Sequence, residues 1–84
     1  MDTKIRSKLK DLEGKTFHTV TGKEFVYEFV SENAIKVNRT NYAIHISNFE
    51  KALDVHPTMP SQITNLVRGG SYVFAIITDS RFIT

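Results

Sequence analysis

The sequence predicts a small α+β domain: an N-terminal helix, an antiparallel meander of about four strands, and two or three short helices packed on one sheet face. Three observations predict it. Ile5, Leu9 and Leu12 fall at i, i+4 and i+7, one stripe of an amphipathic helix. From Thr16 to Ile46 apolar residues recur at every second position between short polar turns. Beyond Ser47 the spacing becomes helical again and closes on the densest apolar run, Tyr72 to Ile77. With 84 residues the chain reads as one domain, 1–84, near the lower end of what folds without staples.

Each element has a local reason. Asp2 or Thr3 caps the first helix and Gly14 ends it. Phe17, Thr19 and Thr21 alternate with His18 and Val20, and Gly22-Lys23 turns the chain into Phe25, Tyr27 and Phe29. Ser31-Glu32-Asn33 and Arg39-Thr40-Asn41 are further turns, around the pairs Ile35/Val37 and Ile44/Ile46. Ser47-Asn-Phe-Glu50 reads as a capping box, with Phe49, Ala52 and Leu53 as the buried stripe and His56-Pro57 as the stop. Pro60 suits a first helical turn, and Ile63, Leu66 and Val67 repeat the helical spacing up to Gly69. Ser71 then caps the closing segment, which the capping residue and the Thr78-Asp79-Ser80 exit favour as a helix over a strand.

Composition excludes more than it selects. There is no cysteine, so neither a disulfide framework nor a thiolate metal site is open to the chain. No signal-peptide pattern and no run near the roughly 20 apolar residues of a membrane span are present, which points to a cytoplasmic protein without membrane contact. The net charge is +2, well below that of a dedicated nucleic-acid binder, although five of the 11 Lys and Arg residues lie between Lys4 and Lys15.

The chemical motifs are incomplete. Gly14-Lys15-Thr16 lacks the earlier glycine of a phosphate loop, since position 9 is leucine. Glu13-Gly14-Lys15 has a metal-nuclease spacing but sits at a helix end. His18, His45 and His56 are too scattered to make a zinc site, and Ser71 lacks the glycine that follows a nucleophile elbow. No catalytic residue, metal site or cofactor is expected, and the chain is read as not an enzyme. Asp79 and Arg81 are expected to clamp the end of the closing segment.

The closing stretch Arg68-Gly-Gly-Ser-Tyr-Val-Phe-Ala-Ile-Ile-Thr-Asp-Ser-Arg81 resembles the Gly-Pro-Ser-Tyr, apolar helix, Asp-Pro-Arg ending of small bacterial domains, some attached to restriction or other defence-type proteins. The likeness extends over Phe17 to Tyr27 and Ile46 to Leu53, roughly residues 14–83. Gly70 and Ser80 stand where that pattern has proline. The resemblance implies a helix over Tyr72 to Thr78 and a bacterial or phage setting; it brings no catalytic residues.

With the apolar strand positions turned inward, the outward face holds His18, Glu28, Lys36, Asn38 and His45, with Arg39 and Asn41 on the adjoining turn. Lysine and arginine contact phosphates, and asparagine and arginine read base edges. The expected function is therefore a non-catalytic binding module with DNA as the leading partner. Lys36, Asn38, Arg39, Asn41 and His45 would bind from the sheet, and Lys4, Arg6, Lys8 and Lys10 from the first helix. The alternative is a module that docks on a larger protein, as a monomer or a homodimer.

Overall fold

A computed structural model describes residues 3–83, without the side chains of Thr3 and Ile83, and it has the expected α+β class. Helix α1, Thr3–Asp11, buries Ile5 and Leu9, with Leu12 just beyond it, so the stripe read from the sequence is the face that packs. The expected cap at Asp2 lies outside the described residues. Gly14 follows with φ of +84°, a conformation natural to glycine.

The strands are β1 (Phe17–His18), β2 (Glu24–Phe25), β3 (Tyr27–Ser31), β4 (Ala34–Val37) and β5 (Ala43–His45). All pairs are antiparallel, but they form two sheets rather than one meander: β1–β2, and β3–β4–β5. The division falls at Val26. Its N–H donates to the Asn38 side chain at 3.0 Å while Asn38 N–H donates to its carbonyl at 2.9 Å. One side-chain rung thus replaces a backbone rung where the first hairpin meets the second sheet. Phe17, Phe25, Tyr27, Ile35, Val37 and Ile44 point into the core, as the period of two requires. Phe29 does not join them fully: the register shifts between Phe29 and Ser31, and its ring is half-buried.

Helix α2, Ile46–Val55, starts earlier than the capping-box reading places it. Ile46 is already the last rung of the sheet, its N–H bonded to Asn33 carbonyl at 2.8 Å, so strand runs into helix with no loop between. The N-cap is therefore His45, whose Nδ1 accepts from Ser47 N–H at 3.1 Å; Ser47 is inside the first turn. The helix stops at His56, in the left-handed region with φ of 53°.

A second correction concerns residues 60–69. Only Pro60–Gln62 forms a 3-10 turn, and Leu66 stands 53% exposed, so Ile63 and Val67 alone carry the buried spacing. Helix α3, Gly70–Ile77, follows, capped by Gly69 rather than Ser71. It is the core of the molecule: Gly70, Val73, Phe74, Ile76 and Ile77 are all buried. A short helix α4, Ser80–Ile83, returns Phe82 into the same core.

Candidate functional site

The outward face of β3–β4–β5 carries the row Glu28, Lys36 and Ala43, set by the registers Glu28↔Lys36 and Lys36↔Ala43. His45 stands opposite Ala34 in the neighbouring row. The Lys36 amino group makes no hydrogen bond or ion pair with a described residue. Asn41, on the β4–β5 turn, is likewise exposed and has no partner among the described residues.

The other residues nominated for binding are committed to the fold. Asn38 supplies the rung to Val26, and Arg39 Nε donates to Glu24 carbonyl at 2.6 Å, closing the outer edge of β2. His45 uses Nδ1 to cap α2. On α1, Arg6 donates to the Asn33 side chain, Lys8 Nζ donates to Phe82 carbonyl at 2.7 Å, and Lys10 Nζ lies 4.6 Å above the Phe29 ring. Lys4 is exposed. Arg6 meets the sheet at Asn33, before β4, whereas Asn38 and Arg39 follow it. Arg6 and Arg39 therefore sit towards opposite ends of β4.

Two shallow hollows flank the Val26–Asn38 link. One, of about 230 Å³, is lined by Gly14, Val26, Tyr27, Glu28, Lys36 and Asn38. The other, about 290 Å³, is lined by Thr16, Glu24, Phe25, Val26, Asn38 and Arg39. Both are open and fall below the roughly 300–1,000 Å³ of small-molecule sites. No group of three or more His, Cys, Asp or Glu able to hold a metal occurs among the described residues, and no helix there is long and apolar enough to cross a membrane.

Two structural roles bear on this surface. Glu13, read in the sequence only as half of a chance motif, accepts Phe29 N–H at 2.7 Å, and Gly14 N–H donates to Tyr27 carbonyl at 3.2 Å, so the segment after α1 closes the free edge of β3. An acid directly before a helix-ending glycine is the signal available for it. Tyr27 donates its buried hydroxyl to Leu9 carbonyl; burial pushes its phenol well above the usual range, with Glu13 adding to the shift and Arg81 opposing it.

Arg81 forms the clamp expected of it. Its guanidinium makes two bonds to Asp79, at 2.9 and 3.0 Å, donates to Thr16 carbonyl at 2.8 Å and lies 4.5 Å over the Phe17 ring. That contact holds the Asp79 carboxyl below the ordinary carboxylate range. Comparison with protein-family models, curated proteins and solved structures finds no match.

Proposed function

We propose that the chain is a non-catalytic binding module that docks on another protein through the outward face of β3–β4–β5 and the hollows beside Val26. The observation that carries this reading is the mixed character of the surface: Lys36 stands in register with Glu28, and Arg39 spends its Nε on the backbone carbonyl of Glu24. A polyanion is drawn by cations without neighbouring carboxylates, and each phosphate contact adds about 0.9 to the slope of log affinity against log salt. Arg6, Lys8 and Lys10 are engaged internally, so the cations nominated for phosphate offer fewer contacts and a shallower slope than their number suggests. A polypeptide, which offers both signs and both donors and acceptors, suits a mixed surface of this kind. The resemblance of the closing motif, Arg68 to Arg81, supports a bacterial or phage setting.

The test sets the two partner classes side by side. Labelled duplex and single-stranded DNA are titrated at low and physiological salt, and a photo-crosslinker is placed at position 36, with position 51 on α2 as control. Docking gives no DNA binding at physiological salt and a protein adduct at 36 that is missing at 51. Tight DNA binding with a slope near −3 or steeper, abolished by Lys36→Glu, overturns the reading in favour of nucleic acid.

A further inference from the structure

Strand edges leave backbone groups without partners, and most edges of this chain are filled. On β3, Tyr27 carbonyl and Phe29 N–H are taken by Gly14 and Glu13; on β2, Glu24 carbonyl is taken by Arg39; before β1, Thr16 carbonyl is taken by Arg81. His18 on β1 and the outer edge of β5 are left open among the described residues, β5 over the longer run. Ile46 N–H bonds to Asn33 carbonyl, and counting back along the register Ile35↔Ile44 and Lys36↔Ala43 turns the Ile44 backbone toward β4 and those of Ala43 and His45 away from it. Among the described residues, Ala43 N–H, Ala43 C=O and His45 N–H have no hydrogen-bond partner. Both residues are exposed.

We infer that this edge pairs with β5 of a second copy of the chain, antiparallel, about a two-fold axis at Ala43. The edge is self-complementary in that register. Ala43 N–H meets the second copy's Ala43 carbonyl and the reverse, while His45 N–H meets the second copy's Asn41 carbonyl, which is also unpaired. The side chain on the axis is a methyl group, so two copies approach without a clash of bulk or charge. On the outward face Asn41 falls opposite His45. Because His45 Nδ1 accepts from Ser47, its Nε2 is the ring donor left for an amide oxygen. Two-fold symmetry makes any such contact twice, which a strand from an unrelated chain does not.

Three residues make a short edge, so the dimer belongs to the small, reversible class of interfaces. Sedimentation equilibrium and ¹⁵N NMR up to about 1 mM chain are expected to show a monomer–dimer equilibrium, with concentration-dependent shifts at Asn41, Ala43 and His45. Ala43→Pro removes an amide that β4 does not use, and is expected to weaken association about 30-fold through the lost reciprocal pair of hydrogen bonds. Ala43→Glu sets like charges on the axis and also weakens it, keeping the question open to experiment if the proline variant fails to fold. A chain that stays monomeric at 1 mM overturns the inference. So does a dimer that both variants leave unchanged, or one whose shifts map to α1 or α4.

Discussion

His45 shows how much one side chain decides. It ends β5, caps α2 through Nδ1, and leaves only Nε2 for the surface. Replacing it with alanine is expected to destabilise by about 0.5–2 kcal/mol, with asparagine restoring most of the loss, and with Ser47→Ala milder than His45→Ala in denaturant titration. The sequence pointed to Ser47 because serine three residues before glutamate is the usual signature. It held no sign that Ile46 would be both the last sheet rung and the first helical residue. Asp79 is the second case. Its folded-state pKa is depressed, so its stabilising contribution is present above the ordinary carboxylate value near 4 and is lost as pH falls through the lower folded value. Asp79 and Arg81 are 21% and 42% exposed, which limits the contribution to under about 1 kcal/mol. Wild type and Asp79→Asn should therefore differ slightly at pH 7 and converge in acid, as followed by thermal melts across pH.

At the scale of elements, α3 was the most legible part, because six consecutive apolar residues leave no polar face and must be covered. Phe74→Ala is expected to cost about 3–5 kcal/mol, most of the stability of a domain this small, and to lower the melting midpoint sharply. Gly70 supplies a stricter check. Alanine is the better helix former, yet a Cβ at Gly70 would lie 2.7 Å from the Thr64 Cα, a backbone atom that has no rotamer to change. Gly70→Ala should thus destabilise by roughly 1–3 kcal/mol, and a neutral or stabilising result would show that residues 60–66 yield to it. What was not legible at this scale follows one pattern. The split of the sheet rests on the amide of Asn38, and the exposure of Leu66 on a single 3-10 turn where helical spacing suggested more. Local spacing marks which residues prefer burial; it does not say which backbone groups a distant side chain will satisfy.

For the whole molecule, the layout of α over β was readable and the binding surface was not. Alternation correctly turned Glu28, Lys36 and His45 outward, but the cations on α1 are spent on Asn33, Phe82 and Phe29. Such contacts join residues far apart in sequence, which no periodicity encodes. They also set the order in which the protein becomes stable. Lys8 is bonded to Phe82, and the Thr16 carbonyl waits for Arg81, so α1 is completed only by residues made much later in the chain. During synthesis α1 has its apolar stripe without its final cover, and cooperative folding is deferred until the stretch around residue 82 has cleared the exit tunnel. A chain stopped after Asp79 should remain largely unfolded by circular dichroism, while a C-terminal linker that frees the same residues from a stalled ribosome should let it fold at once.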